Sequence, residues 1–131
     1  MQSWKMMTPK DIILKYFECL NKKEGWDSLL SDDLSFTSPT QHLYGKAAYI
    51  QDNKDFFNMV TSIEVKDLIV DRNKVCAITS YEIQFPKGTV YKDNGVAEIF
   101  SVKNNKIISL AIYFDTAAYI TFRDKDKQLL L

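Results

Sequence analysis

Four side chains in this sequence stand where proton chemistry would be possible: Glu98, Asp115, Tyr16 and His42. Glu98 interrupts an apolar run, Val96-Ala97-Glu98-Ile99-Phe100, and shares a strand side with Val96, Phe100 and Val102. A carboxyl on such a face must meet a partner or hold its proton, because desolvation disfavours the charged form. On a sheet edge or in a subunit contact, the same residue would be an ordinary hydrated glutamate. Asp115 ends the last strand, on the side of Ser109, Ala111 and Tyr113. It suits a base working where water is excluded, and equally a cap for a helical turn beginning at Thr116. Tyr16 falls midway along the first helix, where its ring can pack in the core with the hydroxyl at a polar edge. His42 is the single histidine, on a loop after the first strand. Its titration near neutral pH suits acid–base work, but no second histidine or suitably spaced carboxylate accompanies it, so neither a metal site nor a cofactor is expected.

Other chemistries find little footing. The chain has no Gly-rich phosphate loop, no Cys-x-x-Cys pair and no Gly-x-Ser-x-Gly elbow. Seventeen basic residues balance seventeen acidic ones. The short basic stretches, Lys22-Lys23 and the mixed tail from Arg123, read as solvated surface, so no nucleic-acid partner is expected. Cys19 and Cys76 sit in apolar periodic stretches and read as small buried hydrophobes. No apolar run approaches the roughly twenty residues that span a bilayer. The segment Met1-Gln-Ser-Trp-Lys-Met-Met lacks a long apolar core and a small-residue cleavage site. No membrane partner and a cytoplasmic location are therefore the expectations.

The elements that must position these residues follow from local patterning. The 131 residues suit one domain over 1–131, with a core from about 8 to 122. Thr8-Pro9-Lys10-Asp11 opens a helix: a cap, a proline at the first position and an acid at the positive end of the dipole. Ile13, Phe17 and Leu20 recur at helical spacing, with Ile12 and Tyr16 beside them. Trp26 to Leu30 predicts a short second helix, Ser31-Asp32-Asp33 a break, Leu34–Ser38 a strand ended by Pro39, Thr40–Lys46 a loop, and Ala47–Val60 a third helix. From Ser62 the pattern becomes strands. On Lys74–Phe85, alternation puts Val75, Ala77, Thr79, Tyr81, Ile83 and Phe85 on one side. Lys92-Asp93-Asn94-Gly95 interrupts the next strand as a bulge or widened turn. Asn104-Asn105 turns into Lys106–Asp115, and a helical turn over Thr116–Phe122 closes the order. Helices packed against one antiparallel sheet make an α+β fold.

This ordered set resembles the SnoaL-like polyketide cyclases and ketosteroid isomerases of the nuclear-transport-factor-2-like superfamily. The resemblance rests on the mid-helix Tyr16, the Ser31-Asp32-Asp33 break, Pro39, and Tyr44-Gly45-Lys46 before a helix. It also rests on the hairpin from Phe100 to Ile107 leading to Tyr113-Phe114-Asp115. It covers about residues 8 to 122 and implies a cone of highly curved antiparallel sheet packed against three N-terminal helices. It further implies an apolar pocket for a small hydrophobic ligand, and a homodimer formed through the outer sheet face. In that frame Asp115 would be the general base, Tyr16 would donate to a developing oxyanion, and Glu98 would match an aspartic acid kept neutral to donate. Phe17, Trp26, Phe36 and Phe57 would line the pocket, with Tyr81, Phe100 and Tyr113. Two departures narrow the chemistry. Ser38 stands where ketosteroid isomerases carry their base, and a hydroxyl cannot take up a proton unaided at neutral pH. Ser80 falls where limonene epoxide hydrolases carry an arginine, although Glu82 and Asp115 lie near their acids. The implied function is an isomerase-, cyclase- or dehydratase-type acid–base enzyme. The alternative is a binding or dimerisation module without chemistry.

Overall fold

A computed structural model of the chain describes residues 7–130. The N-terminal stretch read above for a targeting signal, residues 1–6, lies outside the described residues, as does Leu131.

Helix α1 (Pro9–Lys22) begins as its sequence dictates. The Asp11 amide donates to Thr8 Oγ1 at 3.1 Å and the Thr8 amide to Asp11 Oδ2 at 3.2 Å, a reciprocal cap that satisfies two orphan donors. Its apolar stripe, Ile12, Ile13, Tyr16, Phe17 and Leu20, is buried. Lys23 ends the helix at φ 65° and sends its ammonium to the Phe57 and Val60 carbonyls, fastening the end of the third expected helix.

The second expected helix is a single 3-10 turn, Trp26–Leu29, and strand β1 (Leu30–Thr37) starts at once. Ser31-Asp32-Asp33 therefore lie inside a strand and do not break the chain. Their polarity is accommodated by an irregularity: β1 pairs Leu30 with Ile107 and next Ser35 with Ser109. Asp32 and Asp33 bulge out into solvent between those pairs. Part of the expected loop also pairs, as a short strand β2 (His42–Tyr44) antiparallel to β1. Gly45, at φ 94°, makes the turn into α2 (Lys46–Met59), which buries Tyr49 and Phe57.

The remaining strands form the expected meander: β3 (Val60–Asp71), β4 (Lys74–Gln84), β5 (Val90–Lys103) and β6 (Lys106–Tyr113). The sheet has six strands in the order β2-β1-β6-β5-β4-β3. It is curved and unclosed, and antiparallel except where β1 runs parallel to β6. The closing turn is a full helix, α3 (Thr116–Lys127). The fold is α+β, with two α-helices and the 3-10 turn at the N-terminal end and a third α-helix following the sheet.

Two bulges decide which side chains enter the cone. On β5, Thr79 faces Val96 and Tyr81 faces Asp93, so Asn94 and Gly95 together stand opposite Ser80. The extra residue shifts strand parity, so that Tyr91 on one side of the bulge and Val96, Glu98 and Phe100 on the other all point inward. On β6, Ser109 pairs with Ser101 and Ile107 with Val102, which leaves Ile108 extra. Parity shifts there too: Ile107 and Leu110 are both buried.

One end of the cone is solid. Tyr16 and Phe17 of α1 meet Phe100 edge-on with ring centroids 5.8 Å apart in both cases. Burial of such side chains contributes about 1.5–3 kcal/mol each. At the other end, α3 packs Tyr119 on Phe85 and stacks Phe122 on Tyr91. Its C-terminal turn is tied down by Asp126, whose carboxylate accepts the Lys87 and Thr89 amides at 3.0 and 3.1 Å. Burial opposes that charge, but the amide hydrogen bonds outweigh it and hold the carboxyl below its usual range.

Candidate functional site

Beyond the solid end, the concave sheet face and helices α2 and α3 leave a cavity of about 190 Å³. Eight aromatic side chains line it: Phe36, Tyr49, Phe56, Phe57, Tyr81, Tyr91, Phe114 and Tyr119. Its carboxyl groups are Asp52 from α2 and Asp93 and Glu98 from β5. Ser38, Thr40 and Gln41 from the β1–β2 connection and Asn53 from α2 complete the polar part. Among the described residues, no lysine, arginine or histidine lines it.

Glu98 is the one buried carboxyl among the described residues that line this cavity. It is 2% exposed. Tyr81 donates its hydroxyl to Oε2 at 2.8 Å, and Thr79 donates to the same oxygen at 3.2 Å. No donor among the described residues reaches Oε1. Burial drives the carboxyl upward; the Tyr81 and Thr79 hydrogen bonds pull it back, and it settles at about 7. Burial outweighs two hydrogen bonds because no cationic side chain among the described residues lines the cavity to hold the charge. Tyr81 in turn is held well above the usual phenol range by burial and by the Glu98 charge.

A second hydroxyl pair stands beside it. Tyr16 Oη and Tyr49 Oη lie 2.7 Å apart, fully buried. Burial raises both phenols, and the Glu98 charge adds to the effect. Tyr49 lines the cavity while Tyr16 stands behind it. Tyr91 is pushed up to about 12 by burial and by the charges of Asp93 and Asp115.

The expected site residues divide into three groups. Glu98, Phe36, Phe57 and Tyr81 line the cavity. Tyr16, Phe17 and Phe100 are fully buried in the packed core next to it, and Trp26 meets Phe57 edge-on, with ring centroids 5.0 Å apart. Asp115, Tyr113 and His42 lie elsewhere. Tyr113 is 50% exposed on the outer sheet face. Asp115 is exposed and caps α3, its carboxylate accepting the Ala118 amide at 3.0 Å. The parity that groups Asp115 with Ser109, Ala111 and Tyr113 is the outward one, because Leu110, Ile112 and Phe114 take the inward positions. His42 is exposed on β2, with Nδ1 2.8 Å from Thr37 Oγ1. Tyr16, Glu98 and Asp115 thus do not converge in one cavity: Glu98 enters, Tyr16 stands behind Tyr49 and hydrogen-bonds it, and Asp115 faces away.

Several cavity residues carry little signal in the sequence. Tyr49 shows only as one apolar position on α2. Thr79 and Tyr81 show as members of a buried strand side, with no sign that Glu98 is their partner. Asp52 and Asp93 read as surface acids, and only the docking of α2 and the β5 bulge turn them toward the cavity. Among the described residues, no group of three His, Cys, Asp or Glu side chains is placed to hold a metal ion, and no helix is long and apolar enough to cross a membrane.

The layout, a curved unclosed sheet packed against helices with a cavity between them, defines a nuclear-transport-factor-2-like fold. A protein of that class and of unknown function from Cytophaga hutchinsonii superposes with a TM-score of 0.73 and 19% identity, over 90% of this chain and 99% of its own. Another from Burkholderia pseudomallei gives 0.79 and 13%, over 89% and 98%. A proposed polyketide cyclase from Pseudomonas putida KT2440 gives 0.75 and 17%, over 88% and 98%. No curated protein matches the sequence. The SnoaL-like domain model matches residues 13–110, and the chain belongs to that family.

Proposed function

We propose that this SnoaL-like protein is a proton-transfer enzyme acting on a small carbonyl compound, with Glu98 as the group that takes and returns the proton. One observation carries this reading: a carboxyl 2% exposed, pinned through one oxygen and balanced near neutrality, lines an aromatic cavity. A group that titrates near the working pH serves as base and then acid with little driving force lost. Ionised Glu98 would remove a proton beside the carbonyl. Tyr49 would hydrogen-bond the developing oxyanion, backed by Tyr16, and neutral Glu98 would return the proton to another carbon. The cavity, about 190 Å³, compares with the roughly 150 Å³ that admits a benzene molecule. A single-ring compound fits that volume.

The test uses cyclohexanone as probe and follows deuterium uptake from heavy water at its α-carbons by NMR. The protein is expected to accelerate uptake, and Glu98→Gln to reduce that acceleration at least about a hundredfold with the circular dichroism unchanged. Equal acceleration by the two proteins would reject Glu98 as the base. A non-catalytic binding module is the second reading, favoured by Ser38 lining the cavity where isomerase relatives carry a base. It predicts cyclohexanone binding with no exchange.

The same reading includes a homodimer. Ile69, Cys76, Ile99 and Ala111 are cross-strand neighbours in one row over β3, β4, β5 and β6, and Ile78, Ala97 and Tyr113 form a second row. Ile69 and Ile99 are 59% and 41% exposed. A second copy covering these rows would remove them from water. The free Cys19 and Cys76 suit a reducing, cytoplasmic setting.

A further inference from the structure

The charges of the cavity point to a more specific ligand. The chain as a whole is neutral, seventeen against seventeen. Its cavity is not: Asp52, Asp93 and Glu98 line it, and no basic side chain among the described residues does. Neither described ion pair, Lys22–Glu18 or Arg123–Asp124, involves these three. Asp52 accepts hydrogen bonds only from neutral groups, Gln41 Nε2 at 2.6 Å and Asn53 Nδ2 at 3.5 Å, and Asp93 accepts the Gly95 amide at 3.0 Å. Deeper in, Glu98 is only 2% exposed, and its Oε1 meets no donor among the described residues. Around these acids stand aromatic rings, with Phe56 near Tyr81 and Tyr119 at 6.3 and 6.2 Å between centroids.

We propose that the natural ligand carries a positive charge, a small organic ammonium seated against the Phe56, Tyr81 and Tyr119 rings with its charge toward Glu98, Asp52 and Asp93. Aromatic faces attract cations through their quadrupole, the more so where water is excluded. Like charges on low-dielectric walls focus a field that concentrates counter-ions. The inference rests on the proton-transfer reading and deepens it. A cationic nitrogen on the substrate would offset the negative charge that develops when Glu98 removes a proton.

Binding of such a cation is linked to pH. The titratable groups facing Glu98 are Tyr81 from β4, Tyr49 from α2 and Tyr16 from α1, with Asp52 and Asp93 on the same cavity. None of these groups can carry a positive charge, so a bound cation favours ionised Glu98 and binding releases its proton at lower pH. Affinity should rise as pH climbs through about 7.

Titration calorimetry with two probes tests this: choline, and its uncharged carbon isostere 3,3-dimethylbutan-1-ol. Choline is expected to bind at least about tenfold tighter than the isostere, to tighten between pH 5.5 and 8.5, and to lose that pH dependence in Glu98→Gln. The double change Asp52→Asn, Asp93→Asn should weaken choline more than the isostere. An isostere that binds as tightly as choline, or no choline binding at all, overturns the inference. Continued Glu98-dependent exchange into cyclohexanone would then leave the proton-transfer reading standing, whereas loss of both would remove the two together.

Discussion

Neighbouring residues on β5 invert the ordinary rule of burial. Glu98, a carboxylate by habit, is 2% exposed, while Ile99, one residue on and facing the other way, is 41% exposed. The inner sheet face thus holds a charge that burial opposes, and the outer face holds apolar surface that water opposes. Neither arrangement stabilises the isolated monomer. Each makes sense once something meets it: a ligand inside, a second copy outside. In the proposed reading, a stability cost on each face is set against a use.

The largest expected effect tests the inner face. In the unfolded chain Glu98 ionises around 4.5, whereas in the fold it keeps its proton to about 7. Between those values the unfolded state binds fewer protons, so stability falls as pH rises and levels off above the folded value. The loss amounts to roughly 3 kcal/mol from the two values. Urea melts from pH 4 to 8 should show this decline on top of the other groups' titration, and Glu98→Gln should flatten it by that amount. An unchanged profile in the variant would mean that Glu98 titrates normally and the inversion is only apparent.

Next comes the outer face. Ile99→Asp puts a charge in the middle of the apolar row, and sedimentation equilibrium should show the dimer weakened by about a hundredfold or more, with the fold retained. A wild-type protein that is monomeric at every concentration would leave the outer face without the proposed partner. A smaller effect separates the two tyrosines. Tyr16→Phe removes one partner of a buried hydroxyl pair and should cost about 1–2 kcal/mol in melts. Tyr49→Phe should cost a similar amount but also slow cyclohexanone exchange about tenfold or more, because only Tyr49 lines the cavity. Equal kinetic effects of the two changes would show that the pair acts as one unit. The smallest expected change lies far from both faces: Thr8→Ala should cost about 1 kcal/mol through the lost cap, leaving exchange and dimerisation as they were.

Much of this molecule is written locally. The capping box at Thr8, the stripe of α1, the alternation from Val75 to Phe85 and the Lys92–Gly95 bulge all follow from residues within a few positions of one another. They follow because helical and strand periodicities are properties of the backbone itself. What those periods do not contain is the offset between distant segments. The extra residue at Ile108 leaves Asp115 on the outward parity, the docking of α2 brings Tyr49 within 2.7 Å of Tyr16 across 33 residues of sequence, and strand register sets Tyr81 and Thr79 on one oxygen of Glu98. The sequence by itself determined the fold class, most of its elements and the presence of a carboxyl, Glu98, within an apolar strand. Only the tertiary structure decided which groups meet that carboxyl and which charges go unanswered around it, because burial and field are sums over neighbours that the chain order does not specify.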